Sequence, residues 1–180
     1  MRFLLLRSLA GLACLGVFSL PQTSAARNKP NFSGTWTLDL KASTSLEPLM
    51  TQIGASFLER KYAAAVTLKA TLHQTERVLT IAAHGPGFAL DQTLYLDGRT
   101  KPGDLKLLGA TSTKTRTAWS RDHKRLVETH QIITKQRKEG ELIIERSLIN
   151  EGKTLVAAYT VKLNAVPNRT SARQIWHKQA

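Results

Sequence analysis

Residues 126–163, LVETHQIITKQRKEGELIIERSLINEGKTLVAAYTVKL, decide the fold of this chain. Three stretches of this segment are rich in aliphatic residues: 126–136, 142–149 and 155–163. The short polar segments between them contain Gly140 and Gly152. Short apolar stretches bounded by glycine-containing turns are typical of β-strands joined in hairpins. Sequential hairpins favour an up-and-down meander, because a Greek key requires a long connection.

The same pattern covers most of the remaining chain. Further strands are predicted at 32–40, 66–72, 79–83, 90–96, 111–119 and 172–178. Asp97-Gly98 is a strong signal for a tight hairpin turn. We therefore predict an all-β fold, an antiparallel up-and-down β-barrel of about 8–10 strands, because closure removes exposed strand edges.

One segment, residues 46–62, departs from the strand pattern and predicts a helix after the first strand. Its apolar residues recur at steps of three and four: Leu46, Leu49, Met50, Ile53 and Phe57. That spacing gives a helix one apolar face. Thr44 or Ser45 is the predicted cap, Pro48 fits only the first turn, and Gly54 weakens the middle.

Residues 1–26 have the order of a secretory signal peptide. Arg2 and Arg7 precede an apolar stretch at 8–20, and small residues follow at 23–26. The alternative is a membrane anchor, but the apolar stretch is shorter than the roughly 20 residues that a span requires. We expect an exported chain, periplasmic or secreted, whose single domain covers 27–180. The only cysteine lies in the signal, which excludes cysteine nucleophiles and cysteine-based zinc sites from the domain.

The chain is strongly basic, with 26 Lys and Arg against 13 Asp and Glu and a formal net charge of +13. Removing Arg2 and Arg7 with the signal leaves +11. Such a balance attracts polyanions, and export favours anionic lipid or glycan over nucleic acid. The five residues Lys114, Arg116, Arg121, Lys124 and Arg125 are the predicted basic surface. The alternative is that these are solvated side chains without a partner.

The residues Phe32-Ser33-Gly34-Thr35-Trp36 resemble the Gly-x-Trp signature of lipocalins and their calycin relatives. More closely, the chain resembles a group of small exported bacterial lipocalin-like proteins, most without an established activity. The resemblance extends to 95–98, to Trp119 before a charged turn, and to 150–155. A helix that precedes most strands departs from the eight-strand lipocalin and leaves a nine- or ten-strand relative equally open.

The resemblance implies a closed barrel end. Gly34 would let the backbone pass close under that end, and Trp36 would plug it. In lipocalins an arginine of the last strand stacks on this tryptophan, a role that Arg173 or Lys178 could take here; Arg173 is our assignment. Some ten-strand relatives bind haem through a histidine, but no histidine here has a recognisable haem context, so we expect neither cofactor nor metal.

Turn chemistry predicts which residues line the barrel. Three-residue loops at 138–140 and 150–152 would place Tyr159 opposite Ile143. The ligand-binding interior would then comprise Thr129, Gln131, Glu145, Ser147 and Tyr159. The alternative is a slip of one residue, which reverses the faces and puts Arg146 inside in place of Glu145.

No Gly-x-Ser-x-Gly or His-Glu-x-x-His motif occurs, and we expect no enzyme. The leading hypothesis is an exported, monomeric lipocalin-like protein that binds a small, partly apolar ligand in its barrel. The second is an envelope-interaction module that binds anionic lipid or glycan through its basic surface. An enzyme of unrecognised type ranks third.

Overall fold

The computed structural model describes residues 29–103, 106–164 and 166–180, so the predicted signal peptide lies outside the described residues. The strands are β1 (Gly34–Asp39), β2 (Lys69–Gln74), β3 (Val78–Gly85), β4 (Phe88–Tyr95), β5 (Thr100–Pro102), β6 (Lys106–Leu107), β7 (Ala110–Trp119), β8 (Leu126–Thr134), β9 (Glu139–Ile149), β10 (Thr154–Leu163) and β11 (Thr170–Lys178). The helices are α1 (Glu47–Gln52) and α2 (Phe57–Ala65).

The strands form one antiparallel sheet in the order β4-β3-β2-β1-β11-β10-β9-β8-β7-β5, with β6 also paired to β7. Neighbours in this order follow one another along the chain apart from two pairs, β1 with β11 and β5 with β7. Because the first strand pairs with the last, the sheet curves into a barrel. The prediction of an all-β, antiparallel, lipocalin-like barrel with a helical segment after the first strand is confirmed.

The two ends of the sheet, β4 and β5, are not paired with each other, which leaves a seam in the barrel. One turn ties the seam at its end, because Gly98 donates its N–H to the Thr117 carbonyl at 3.1 Å and accepts from Arg116 Nε at 2.7 Å. Below this tie, residues of β4, β5 and β7 line a cleft of about 190 Å³.

The helical segment is two helices and not one. Gly54, at φ +82°, follows α1, and a Cβ at this position would collide with the Gln136 side chain. Ser56 then starts α2 with a capping box, accepting from the Glu59 N–H while the Glu59 carboxylate accepts from the Ser56 N–H. Pro48 lies in the first turn of α1 as predicted. Within the residues described, neither helix has the length and apolarity needed to cross a bilayer.

Trp36 lies at one end of the barrel, fully buried, and its Nε1 donates to the Phe32 carbonyl at 3.0 Å. The cation over its ring is Lys178, whose Nζ is 5.5 Å from the ring centroid. The assignment of Arg173 to this role is wrong. The β1–β11 register places Trp36 opposite Lys178, whereas Arg173 is exposed beyond the Asp39–Ile175 pair.

Gly34 is required under this cation. Its φ of +141° lies outside the range that side-chain-bearing residues favour, and a Cβ would come within 2.6 Å of Lys178 Cε. The glycine therefore lets the lysine cross the backbone and reach the Trp36 ring. This contact explains the Gly-Thr-Trp spacing in structural terms alone.

Candidate functional site

A cavity of about 860 Å³ occupies the inside of the barrel. Its walls come from β2 to β4, from β7 to β11, and from both helices. Most lining residues are aliphatic, among them Leu72, Ile81, Ala83, Leu142, Ile144 and Leu155. Small-molecule sites are concave, mostly apolar and about 300–1,000 Å³ in volume, with a few polar groups that orient the ligand. The cavity has these properties.

Four strand residues with amide, guanidinium or phenol groups line the cavity: Gln92, Arg146, Tyr159 and Gln174. They come from β4, β9, β10 and β11, so the sheet order gathers them from positions far apart in sequence. Tyr159 donates its hydroxyl to Gln174 Oε1 at 2.9 Å. Burial raises the pKa of the Tyr159 phenol, and the nearby Glu128 charge adds to this although Arg146 opposes it. The phenol is therefore neutral at physiological pH.

The register of β9 and β10 decides which residues face this cavity. Tyr159 pairs with Ile144 and not with the predicted Ile143. The loop has four residues, 150–153, because Asn150, Glu151 and Gly152 all adopt positive φ. Ile149 consequently pairs with Thr154, one residue later than predicted. The structure therefore adopts the alternative slip, in which Arg146 faces inward.

Four of the five predicted interior residues lie on the outer face of the barrel: Thr129, Gln131, Glu145 and Ser147. Gln131 donates to Glu141, and Glu145 pairs with Arg125 at 3.0 Å. Tyr159 does line the cavity. Its face depends only on the alternation within β10, which an error in loop length does not alter.

Glu128 is the centre of a buried polar network that sequence reasoning missed. Its side chain has no exposed surface. Arg146 Nη1 donates to Oε2 at 2.5 Å, and Gln92 Nε2 and His130 Nε2 lie 2.5 Å from Oε1. Arg146 and Gln92 also line the cavity, whereas Glu128 and His130 are completely buried behind them.

A β-bulge in β7 completes the network. The register with β8 shifts between Ser112 and Lys114, which turns both Ser112 and Thr115 towards the inner face. Their hydroxyls lie 2.9 and 3.0 Å from His130 Nδ1. Both ring nitrogens of His130 are thus held, and the imidazole is fixed in orientation.

The charge state of Glu128 follows from its partners. Desolvation alone would raise the pKa of this carboxyl. The charge of Arg146, the hydrogen bond and charge contribution from His130, and the hydrogen bond from Arg146 outweigh it and lower the pKa to about 2. Glu128 is therefore ionised at neutral pH. Its charge compensates that of Arg146.

Ser112, His130 and Glu128 have the order of a nucleophile, a base and an orienting acid. Ser112 and His130 are completely buried, however, and Ser112 lies under Gly103, where a Cβ would come within 2.8 Å of its hydroxyl. A nucleophile has to contact its substrate, and this buried hydroxyl is accessible neither to solvent nor to the cavity. The arrangement supports a structural role for these three residues. In the part of the chain that the structure describes, no group of three His, Asp or Glu residues could hold a metal ion.

The lining beside α2 includes the half-exposed residues Glu59 and Lys135, and we call this part of the cavity its mouth. Lys135, after β8, donates from Nζ to both carboxylate oxygens of Glu59 at 2.9 Å, and both residues line the cavity. The hydrogen bond from Lys135 and those at Ser56 lower the pKa of Glu59 to about 2. Tyr62 of α2 also lines the cavity, and its buried hydroxyl has no hydrogen-bond partner among the described residues.

The predicted basic residues are all exposed: Lys114, Arg116, Arg121, Lys124 and Arg125. Within this set, Arg116 binds the Gly98 carbonyl and Arg125 binds Glu145. The structure places this set outside the barrel and away from the cavity lining.

The chain matches no protein-family model and none of the curated proteins compared with it. Its structure is similar to that of the REP1-NXSQ fatty acid transporter, with a TM-score of 0.60, 16% identity, and coverage of 82% of this chain and 96% of the other. It is also similar to a Schistosoma mansoni fatty acid binding protein in complex with arachidonic acid. The TM-score is 0.62 and the identity 20%, and the match covers 83% of this chain and 96% of the other. For Echinococcus granulosus fatty-acid-binding protein 1 the TM-score is 0.60 and the identity 18%, and the match covers 83% of this chain and 98% of the other. These similarities show a calycin-type barrel, related to that of lipocalins.

Proposed function

We propose that this chain is an exported, non-enzymatic protein that carries a small, largely apolar molecule inside its barrel. The observation that carries the proposal is the cavity of about 860 Å³, apolar on most of its wall and polar at Arg146, Tyr159 and Gln174. An apolar molecule in this space would be removed from water, with a favourable free energy of about 25 cal/mol per Å² of buried apolar surface. The polar residues would orient one end of it.

Two further observations support the proposal. Structurally similar proteins are described as a fatty acid transporter and as fatty acid binding proteins, one of them in complex with arachidonic acid. The buried hydroxyl of Tyr62 has no partner among the described residues although it lines the cavity. A buried polar group without a partner is costly, and a bound ligand or water would relieve that cost.

Export is part of the proposal and rests on residues 1–26. The test is the N-terminal sequence of the protein recovered from the periplasm or the culture medium. Cleavage near Ala26 supports export. A full-length chain that remains inside the cell contradicts it.

The cavity is tested with Nile red, an uncharged dye whose fluorescence increases in apolar surroundings. Ala157 lines the cavity, and Ala158, the next residue, faces outward. We expect saturable binding by the wild type, weaker binding by Ala157→Phe, whose ring would take up part of the cavity, and wild-type binding by the matched control Ala158→Phe. Equal binding by both variants would place the dye outside the barrel, and no binding by the wild type would contradict the proposal.

The second candidate, binding of anionic lipid or glycan, rests on the exposed basic residues, of which Lys114 and Lys124 are the simplest to test. Screening removes attraction between exposed charges beyond roughly 8 Å at physiological ionic strength. Binding to vesicles that contain phosphatidylglycerol should therefore fall steeply with salt and weaken in Lys114→Gln/Lys124→Gln. Binding that neither salt nor these substitutions reduce would remove this candidate.

A further inference from the structure

We infer that the cavity selects an uncharged amphiphile with a hydroxyl end over an anion of the same chain length. The inference rests on the proposed function, because it names the class of ligand for the same cavity. It follows from the pairing of the charged groups that line the cavity and from the hydrogen-bonding groups that this pairing leaves exposed.

The charges at the cavity are already compensated. Within the described residues, three charged side chains line it: Glu59, Lys135 and Arg146. Glu59 and Lys135 pair with each other at the mouth, with Nζ 2.9 Å from both oxygens. Arg146 pairs with Glu128, which lies directly behind it. No cation at the cavity, among the residues described, is left for the carboxylate of a ligand.

A ligand anion would therefore meet an unfavourable environment. It would lose its hydration and would lie near Arg146, whose charge Glu128 neutralises from the other side. Two carboxylates that share one buried site repel each other strongly enough to separate their pKa values. Burial of a charge without a counter-charge of its own is also costly. A fatty-acid anion would be disfavoured by both effects, whereas an uncharged alcohol would be disfavoured by neither.

The remaining hydrogen-bonding groups suit a hydroxyl. Among the described contacts, Arg146 donates only from Nη1, so further N–H groups of its guanidinium remain for a ligand. Gln174 uses its Oε1 to accept from Tyr159, which leaves its amide N–H groups as donors. Gln92 uses Nε2 towards Glu128, which leaves its Oε1 as an acceptor. A hydroxyl can accept from Arg146 or Gln174 and donate to Gln92, whereas a carboxylate can only accept.

The test compares 1-decanol with decanoate as competitors of Nile red, in a buffer where decanoate is fully ionised. We expect the wild type to bind decanol at least about tenfold more tightly, a difference of about 1.4 kcal/mol. Glu128→Gln keeps the shape of the side chain and removes the compensating charge, so it should reverse the preference. Glu128→Gln/Arg146→Gln removes both charges and should restore the preference for decanol. Glu145→Gln, on the outer face, is the matched control and should leave the preference unchanged.

The outcomes separate this inference from the proposed function. If the wild type binds decanoate as tightly as decanol or more tightly, the cavity carries a ligand but the inference is overturned. If neither compound displaces a bound dye, the inference is overturned, whereas absence of Nile red binding itself would contradict the proposed function. If Glu128→Gln does not fold, the preference of the wild type still decides. Decanoate should also raise the thermal midpoint of a folded Glu128→Gln variant more than that of the wild type.

Discussion

Two ion pairs border the cavity, and they differ in almost everything except their charges. Glu59–Lys135 spans the mouth, with about half of the Lys135 side chain and 44% of the Glu59 side chain exposed. Glu128–Arg146 lies inside the barrel wall, where Glu128 has no exposed surface and Arg146 about 9%. An exposed pair is screened by water and salt and contributes about 0–1 kcal/mol. Loss of one partner of a buried pair leaves an unpaired charge in a poor solvent, which costs about 3–5 kcal/mol.

The two pairs therefore act on different parts of the molecule. The outer pair holds α2 near the turn after β8 and can open at little cost. The inner pair is embedded in a network with Gln92 and His130, so it fixes the charge that the cavity presents to a ligand. Both carboxylates have a pKa of about 2, yet only the buried one is expected to translate that shift fully into stability.

The largest expected effect comes from removal of Arg146. Arg146→Met removes the counter-charge of the completely buried Glu128, and should lower the free energy of unfolding by about 3–5 kcal/mol in urea titrations. Glu128→Gln/Arg146→Met, which removes both charges, should recover much of this loss. Arg125→Met, whose partner Glu145 is exposed, is the matched control and should change stability little. Equal losses for the two single variants would show that the inner pair is not effectively buried.

Acidification provides the next test. The pKa of Glu128 is about 2 in the folded protein and near the ordinary glutamate value of 4.5 when the chain is unfolded. The unfolded chain therefore binds more protons between these values, and stability falls as the pH decreases through this window. We expect a loss on the order of a few kcal/mol between about pH 5 and pH 2, measured as the urea midpoint. Glu128→Gln/Arg146→Met should flatten this dependence more than Glu59→Gln does; the reverse order would contradict the comparison.

The hydroxyls at His130 should have a smaller effect. Ser112→Ala removes one of two hydroxyls at Nδ1, and Thr115 remains at 3.0 Å, so we expect a loss of about 1 kcal/mol. Ser112→Ala/Thr115→Val leaves the nitrogen without either partner and should cost more than the sum of the two single changes. Chemical denaturation of the four proteins forms a double-mutant cycle. Strict additivity would show that the two hydroxyls do not substitute for one another.

The smallest effect should come from the mouth. Lys135→Met breaks the outer pair and should lower stability by less than about 1 kcal/mol, and the difference from the wild type should shrink as salt is added. Decanol affinity should stay close to that of the wild type, because the polar wall of the cavity is intact. A loss of several kcal/mol would mean that α2 depends on this pair, and would remove the contrast between the two pairs.

The sequence was sufficient for the fold because alternation and turn residues are local signals. The inward face of β10, with Tyr159, required only that apolar and polar residues alternate within one strand. To predict which residues of β8 and β9 face inward, one also had to know the lengths of the loops on either side of β9. Glu151 and Arg137 adopt positive φ without being glycine or asparagine, and no local preference predicts that.

The buried network around Glu128 could not be predicted from local sequence signals either. The sequence pattern places Glu128 and His130 on the polar, exposed face of a half-buried strand, because ionisable residues are seldom fully buried without a partner. Their partners, Arg146 on β9, Gln92 on β4 and the two hydroxyls of the β7 bulge, come together only through register and topology. An available signal was the presence of Glu128 and Arg146, opposite in charge, on strands that form a hairpin. Export and the bacterial lipocalin-like resemblance stay predictions.

Occupancy of the cavity is the central claim, and native mass spectrometry of the chain incubated with 1-decanol tests it most directly. We expect one decanol per chain for the wild type and for Ala158→Phe, and a smaller bound fraction for Ala157→Phe, whose ring would take up part of the cavity. A bare wild-type mass at saturating decanol, or equal bound fractions for Ala157→Phe and Ala158→Phe, would contradict occupancy of the cavity.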